Sequence, residues 1–326
     1  MTPNQPEAVS PRSEAGDTRP AWDLERITTD LRSTRMDWRS ETGRLQELGR
    51  RDLPSRRDLA EILDLLRGAL FPMRLGPPAL SERSEDFYVG HTLDTALNLL
   101  LDQVRLELRY MARHCGQPCD EGEPETVARR IVGDFAADLP RIRRLLDTDV
   151  LAAFRGDPAA KTVDEVLLCY PGVEAMIHHR LAHTLYNLEV PLLARLVAEL
   201  AHSSTGIDIH PGAKIGPGFF IDHGTGVVIG ETAVIGENVR LYQAVTLGAK
   251  RFPADDSGNL QKGLPRHPIV EDDVVVYAGA TILGRITIGR GSTIGGNVWL
   301  TRSVPPDSQI SQASLTDDCP DNGGGK

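Results

Sequence analysis

The sequence predicts an α+β protein, in which an all-α helical domain is followed by a parallel β-helix with one long excursion loop. Aliphatic residues, often followed by glycine, recur every six positions from Ile209 to Val304, and this period is typical of a β-helix whose coils bury one another. Before Gly206 the chain is instead rich in leucine at helical spacing. The change of pattern at Gly206 therefore indicates a domain boundary.

The N-terminal half is predicted to be helical from residue 21 to residue 205. Residues 1–20 show no apolar periodicity and are expected to be disordered. Proline marks several helix ends, including a predicted break at Pro140. The predicted helices cover approximately residues 22–50, the segment after Pro54, and residues 86–113, 125–139, 142–154, 162–168, 173–188 and 191–202.

The β-helix is predicted over residues 206–304. Three six-residue steps make one triangular coil, so this length corresponds to about four coils. Residues 305–326 begin with two prolines and are mostly polar. They are expected to form a flexible tail.

Composition and charge exclude several classes of function. The formal net charge is −10, and no basic stripe suited to nucleic acid is present. No apolar run approaches a membrane span and no signal-peptide pattern opens the chain, so a cytoplasmic protein is expected. Cys115 and Cys119 lack a second pair of ligands nearby, and no metal is expected there.

The repeat is first interrupted after Ile221, where the next aliphatic-glycine pair comes two residues late. The extra residues lie in the run Asp222-His223-Gly224-Thr225-Gly226, and a bulge at this point would redirect side chains. His223 could be a mere corner residue. However, Asp208 lies about one coil earlier and is placed to reach one imidazole nitrogen. Such a pair can act as a general base, because the carboxylate holds the imidazole while its other nitrogen accepts a proton.

The second interruption is the excursion loop, residues 248–269. A long loop in a regular solenoid is more often functional than accidental, although a plain surface insertion is the alternative. The loop ends in Arg266 and His267 between two prolines, and the planar guanidinium suits a carboxylate. No P-loop or nucleophile elbow is present, and the spacing of the histidines shows no compact metal motif.

Over residues 155–305 the sequence resembles the serine O-acetyltransferase family. The resemblance rests on Asp208-Ile-His-Pro-Gly, Ile221-Asp-His-Gly-Thr-Gly and Arg266-His-Pro, with Gly156-Asp-Pro-Ala upstream. Other acyltransferases with this repeat do not share this combination. The resemblance implies a left-handed parallel β-helix and the transfer of acetyl from acetyl-CoA to the hydroxyl of L-serine, the first step of cysteine biosynthesis.

The resemblance also implies a role for individual residues. His223 would be the general base and Asp208 would orient it. The substrate ammonium would pair with Asp157 and Asp222, and the substrate carboxylate with Arg266 and His267. The pantetheine arm of acetyl-CoA would lie along small residues, namely Ala249, Ala278, Gly279 and Gly296. No metal is expected.

An oligomer is implied as well. Members of the family form trimers or dimers of trimers with active sites between neighbouring β-helices, and cysteine acts as a feedback inhibitor. The tail ends in Lys326 instead of the isoleucine with which many members dock into O-acetylserine sulfhydrylase, so no tight complex with that enzyme is expected.

Two other functions fit the repeat. One is a hexapeptide acyltransferase that acts on another small amino acid or on a sugar; Arg266 beside His267 favours an amino-acid carboxylate. The other is a structural β-helix, similar to a carbonic-anhydrase-like scaffold without its metal. That function would not need a pair such as Asp208 and His223.

Overall fold

The computed structural model describes residues 22–42, 53–115, 123–251 and 260–313. The chain forms two compact units, Met1–Arg51 and Asp52–Lys326. The described part of the first unit is helix α1 (Leu24–Glu41), which begins where the Asp23 side chain accepts a hydrogen bond from the Arg26 amide. The segment predicted to be disordered and the end of the first predicted helix lie outside the described residues.

The described residues of the second unit begin with helices. Their positions agree with the predicted ones, apart from the short helix α3, which the sequence did not indicate, and the two helices predicted on either side of Pro140, which form the single helix α5. No helix in the described ranges is long and apolar enough to cross a membrane. The helices are α2 (Arg56–Leu70), α3 (Pro72–Leu75), α4 (Glu85–Cys115), α5 (Glu123–Gly156), α6 (Val163–Cys169), α7 (Pro171–Asn187) and α8 (Pro191–Thr205).

The predicted break at Pro140 is wrong, because α5 continues through it. Pro140 is exposed, so water can replace the hydrogen bond that proline removes. On the opposite face, Phe135, Leu139 and Ile142 are buried on both sides of the proline. The continuous apolar face holds the two halves in one helix.

A buried ion pair attaches the helices to the β-helix. Arg180 on α7 and Asp149 on α5 are 5% and 2% exposed, and the guanidinium donates to both carboxylate oxygens at 3.1 and 3.0 Å. Arg180 also donates to the carbonyl oxygens of Ile215 and Gly216, and Asp149 accepts from the Phe219 amide at 2.9 Å. These hydrogen bonds offset the free energy lost when two charged groups are removed from water.

Gly206 ends α8 in the left-handed region at φ 71°. Beyond it, the described residues form fourteen short parallel strands in three sheets. Sheet A contains β1 (Asp208–Ile209), β4 (Val228–Ile229), β7 (Thr246–Gly248), β10 (Thr281–Leu283) and β13 (Trp299–Leu300). Sheet B contains β2 (Lys214–Ile215), β5 (Val234–Ile235), β8 (Ile269–Val270) and β11 (Thr287–Ile288). Sheet C contains β3 (Phe220–Ile221), β6 (Arg240–Leu241), β9 (Val275–Val276), β12 (Thr293–Ile294) and β14 (Gln309–Ile310).

The repeat positions explain this architecture. In sheet A the aliphatic residues Ile229, Leu247 and Ile282 are paired in register in successive coils and are at most 1% exposed. Each coil therefore buries the next one. The predicted parallel β-helix after a helical domain is confirmed.

The β-helix extends beyond its predicted end at Val304. Strand β14 pairs with β12, so the beginning of the predicted flexible tail, residues 305–326, is part of the β-helix. The last coil is short, since Thr293 pairs with Gln309, and its turn is held by the buried Ser292, which accepts from the Ser308 amide at 3.1 Å. This polar turn lacks the aliphatic-glycine pair that marks the earlier coils. Residues 314–326 lie outside the described residues.

Three edges join the three sheets of the prism, and two of them carry the predicted site residues. The C–A edge is formed by the turns from sheet C to sheet A, residues 222–227, 242–245, 277–280 and 295–298. The A–B edge is formed by the turns from sheet A to sheet B, residues 210–213, 230–233 and 284–286, and by the excursion loop. Sheet A lies between these two edges.

Candidate functional site

The first interruption of the repeat is a widened turn on the C–A edge. Asp208 pairs with Val228 and Val228 pairs with Thr246, so the first coil is two residues longer than the second. His223 adopts φ 60° and Gly224 φ 91° within this turn. The left-handed backbone directs the His223 side chain outward, where it is 72% exposed.

Two carboxylates lie beside His223. Asp222 is 13% exposed, and its Oδ1 is 3.9 Å from Nε2 of His223. Asp157 follows the end of α5, where its side chain accepts from the Ala159 amide at 2.8 Å and from the Tyr170 hydroxyl at 2.5 Å. The Tyr170 hydrogen bond, the Ala159 amide and the nearby charges of Arg240 and His223 lower the pKa of Asp157. The predicted ammonium ligands and the predicted base therefore belong to one acidic cluster.

The acidic cluster contains an arginine that the sequence analysis did not select. Arg240 on β6 donates from Nη2 to Oδ2 of Asp222 at 2.7 Å. Its guanidinium carbon lies 4.9 Å from the centroid of the Phe220 ring and 4.6 Å from that of the Tyr242 ring. Both contacts are within the range of cation–π attraction.

Asp208, the residue predicted to orient His223, is on strand β1. It lies on the outer face of sheet A, and within the described residues neither a hydrogen bond nor an ion pair joins it to His223. One ligand atom from Asp208, one from Glu199 and one from His202 lie within 4.8 Å of one another. Asp222 is the carboxylate that stands next to His223 in this chain.

The A–B edge holds Arg266 at the end of the excursion loop. Its Nη2 donates to Oε2 of Glu231 at 2.7 Å, and Glu231 also accepts from the Tyr186 hydroxyl at 3.2 Å. Burial raises the pKa of Glu231, but the hydrogen bond from Arg266 and the neighbouring cations outweigh it, so the pKa of Glu231 is lowered. Glu231 is thus an anion that fixes the direction of the guanidinium.

His267 is buried beside Arg266, with 6% of its surface exposed. Its Nδ1 accepts a hydrogen bond from the Thr232 amide at 3.0 Å, so the proton of the neutral ring is assigned to Nε2. Burial, reinforced by the charge of Arg266, lowers the pKa of His267 to about 4. The ring lies directly over Gly230, where an added Cβ would come within 2.0 Å of Cδ2. His267 is therefore a fixed and neutral hydrogen-bond donor at neutral pH.

The small residues predicted to line the cofactor path are divided between the two edges. Ala278, Gly279 and Gly296 lie on successive turns of the C–A edge, linked by the hydrogen bond from the Asn297 amide to the Ala278 carbonyl oxygen at 2.9 Å. Ala249 directly follows β7 and lies on the A–B edge. A single chain does not bring Ala249 together with the other three.

The structure thus gathers the predicted site residues into two groups. Asp157, Asp222 and His223 are together at the C–A edge, whereas Arg266 and His267 are together at the A–B edge across sheet A. Each group is internally connected, and the carboxylates predicted to bind the ammonium lie in one group whereas the arginine predicted to bind the carboxylate lies in the other.

Sequence reasoning missed four residues that shape the two groups. Arg240 and Glu231 stand at outward or turn positions of the repeat, where single charged residues are common and carry no motif. Thr232 acts through its backbone amide as well as its hydroxyl, and Tyr170 lies between two helices. Counting one coil on from Phe220 would have found Arg240, because these two residues pair in register.

Comparisons with known proteins bear on the whole chain. The family "Bacterial transferase hexapeptide (six repeats)" matches residues 267–302. The chain is 55% identical to a plasmid-encoded serine acetyltransferase of Synechococcus elongatus over 98% of its own length and 99% of that protein. It is 50% identical to the serine acetyltransferase of Mycobacterium tuberculosis over 50% of its own length and 67% of that protein.

Solved structures agree with this similarity. Serine acetyltransferase 1 of Entamoeba histolytica, in complex with L-cysteine, is 37% identical with a TM-score of 0.66, and the match covers 81% of this chain and 93% of that one. Isoform 3 from the same organism, in complex with cysteine, is 35% identical with a TM-score of 0.62, covering 78% and 85% of the two chains. The similarity extends through both the helices and the β-helix.

Proposed function

The chain belongs to the serine acetyltransferase family, and we propose that it transfers the acetyl group of acetyl-CoA to the hydroxyl of L-serine, giving O-acetyl-L-serine and CoA. The observation that carries this proposal is the pair of site groups: an exposed histidine among carboxylates on one edge, and an arginine with a neutral histidine on the other. These groups match the hydroxyl, ammonium and carboxylate of a small amino acid.

His223 serves as the general base. Its exposed imidazole takes the proton of the serine hydroxyl while the serine oxygen attacks the thioester carbonyl carbon, and the CoA thiolate then leaves. Asp222, whose Oδ1 is 3.9 Å from Nε2, stabilises the imidazolium that forms in this step. Asp208 is proposed to contribute its negative charge from the adjacent coil.

The ammonium and the carboxylate of serine are bound by opposite groups. Asp157 and Asp222 present carboxylate oxygens to the ammonium. Arg266, held in direction by Glu231, and the Nε2–H of His267 bind the substrate carboxylate. Because His267 is neutral, it adds a directed hydrogen bond without adding a second positive charge beside Arg266.

The complete site requires two copies of the chain. The C–A and A–B edges border the same sheet, so three copies that turn sheet A toward a common axis bring the C–A edge of one copy beside the A–B edge of the next. The same arrangement unites Ala249 with Ala278, Gly279 and Gly296 along one groove for the pantetheine arm. A homotrimer is therefore the minimal active assembly, and a dimer of trimers keeps the same sites.

L-Cysteine binds in the serine site under this proposal. It carries the same ammonium and carboxylate as serine, and the Entamoeba histolytica enzymes with the same fold were solved in complex with cysteine. Its thiol would stand near His223 in place of the hydroxyl. Cysteine is consequently expected to compete with serine.

The test is the release of CoA from acetyl-CoA with a panel of acceptors. L-Serine should be acetylated, while L-alanine, which keeps both charges but lacks the hydroxyl, should leave acetyl-CoA intact. D-Serine presents its hydroxyl from the wrong side and should react much more slowly. A sugar or a different hydroxy amino acid acetylated faster than L-serine would overturn the proposed substrate.

A further inference from the structure

Arg240 in the acidic cluster makes one hydrogen bond and two cation–π contacts. It belongs to none of the motifs on which the proposed function rests. It is 23% exposed, and its Nη2 makes a 2.7 Å hydrogen bond with Oδ2 of Asp222. The Nε atom is buried without a partner among the described residues. The Nε atom of the guanidinium is thus buried in the interior, whereas its Nη2 atom donates to a single carboxylate oxygen.

The surroundings hold this guanidinium in place. It lies near the faces of the Phe220 and Tyr242 rings, at 4.9 and 4.6 Å from their centroids. Phe220 is 4% exposed and is backed by the end of α5, where a Cβ on Gly156 would come within 2.9 Å of its ring. Tyr242 is in turn stacked on Tyr277, with centroids 5.0 Å apart. A cation packed in this way cannot swing aside without opening the packing.

The anchored guanidinium divides the two oxygens of Asp222 between two tasks. Oδ2 is used by Arg240, whereas Oδ1 faces Nε2 of His223 at 3.9 Å. Without Arg240 the carboxylate could rotate, and its strongest available partner would be the substrate ammonium. Asp157 does not depend on Arg240 for its direction, because the Ala159 amide and the Tyr170 hydroxyl already hold it.

We propose that Arg240 is a positioning residue, which acts through Asp222 to hold the general base His223 in its working orientation. The inference rests on the proposed function and deepens it. Arg240 occupies Oδ2 of Asp222 permanently, so Asp222 serves His223 and the ammonium with Oδ1 alone. Asp157 then supplies the main anionic contact for the substrate ammonium.

The expected effect of Arg240→Ala is on turnover more than on binding. The kcat for L-serine acetylation should fall about tenfold, because the base is no longer aligned. The KM for L-serine should not rise, since the freed Asp222 carboxylate adds negative charge near the ammonium. Arg240→Lys keeps the positive charge but loses the planar stack, and it should recover only part of the kcat.

A double-mutant cycle separates positioning from general destabilisation. If Arg240 acts through Asp222, Arg240→Ala should cost little further kcat when Asp222 is already Asn. The matched control is Arg290→Ala, which breaks a 2.7 Å ion pair with Asp272 on the turn between sheets B and C. That variant should keep the wild-type kcat and KM.

Crystal structures of the wild type and of Arg240→Ala provide a readout that does not depend on activity. In the variant the Asp222 carboxylate should turn away from His223; an unchanged carboxylate, or additive losses in the cycle, would overturn the inference. If the wild type fails to acetylate L-serine, the proposed function falls, and the two structures still decide whether Arg240 orients Asp222.

Discussion

Each of the two edges that flank sheet A carries one histidine of the predicted site, and these two histidines differ in nearly every physical respect. His223 on the C–A edge is 72% exposed and stands in a widened turn with left-handed backbone. His267 on the A–B edge is 6% exposed, rests on Gly230, and is fixed by Thr232. The same repeat thus builds an exposed histidine, proposed to accept a proton, and a buried, fixed hydrogen-bond donor.

The difference shows how a regular scaffold separates tasks. An inserted pair of residues widens a turn and exposes its side chain, whereas a glycine in the coil below makes room for a buried ring. In the proposed trimer, the exposed histidine gains its full environment only when another copy covers it. The buried histidine is complete in the single chain.

Removal of the exposed histidine should nearly abolish catalysis. The variant His223→Ala should lose roughly 10²–10⁴-fold in kcat, the usual contribution of a general base, while the thermal unfolding midpoint stays near that of the wild type. The measurement is CoA release with saturating L-serine. Activity within a few-fold of the wild type would remove His223 from its role as base.

Two inactive variants also test whether the edges of different copies meet. Co-expression of His223→Ala chains with Arg266→Ala chains should restore roughly a quarter of the sites by random assortment in mixed trimers. Sites formed within one chain would show no recovery. His91→Ala, which changes an exposed histidine on α4, is the matched control and should leave kcat unchanged.

Displacement of the buried histidine should mainly affect substrate binding. In Gly230→Ala the new Cβ would lie 2.0 Å from Cδ2 of His267, so the ring must leave its position. The KM for L-serine should rise about tenfold or more, with little change in the KM for acetyl-CoA. The control is Gly133→Ala, whose Cβ would meet open space on α5. An unchanged KM for serine would contradict the role of His267.

The smallest effect concerns the pH dependence of stability. Burial lowers the pKa of His267 to about 4, whereas the pKa of a histidine in an unfolded chain is about 6.5. As the pH falls from 6.5 toward 4, the unfolded state therefore binds a proton that the folded state refuses, and the free energy of unfolding decreases. Urea unfolding at several pH values should show a shallower decrease for His267→Gln, and His91→Gln should match the wild type. Equal slopes for His267→Gln and the wild type would contradict the burial argument.

Much of the fold could be predicted from the sequence because it depends on periodic burial. The six-residue spacing located the strands, and leucine spacing located the helices. The break at Pro140 was predicted wrongly because tertiary packing, which the local sequence does not reveal, places this residue on the exposed face of α5. The last strand was missed because Ser292 and Ser308, not an aliphatic pair, hold its turn.

The candidate site was predicted less evenly. Breaks in the repeat directed attention to His223 and His267, and the structure places these residues on separate edges. The role of Asp208 stays a prediction, since Asp222 is the carboxylate beside His223 in this chain. Arg240 could not be recognised from the sequence, because its importance comes from the rings and the carboxylate that meet around it in three dimensions.

The ion pair between Asp149 and Arg180 has a consequence for the order in which this molecule comes apart. Coils of a solenoid contact only their neighbours, so each coil depends on the coil beside it. Hydrogen bonds to Asp149 and Arg180 attach the first coil to α5 and α7, whereas the last coil among the described residues ends in the short strand β14. Local unfolding should therefore begin at β14 and advance toward the first coil. Amide hydrogen exchange should be fastest in the last coil. Because Asp222 and His223 belong to the first coil, the turn proposed to be catalytic should be among the last parts of the β-helix to unfold.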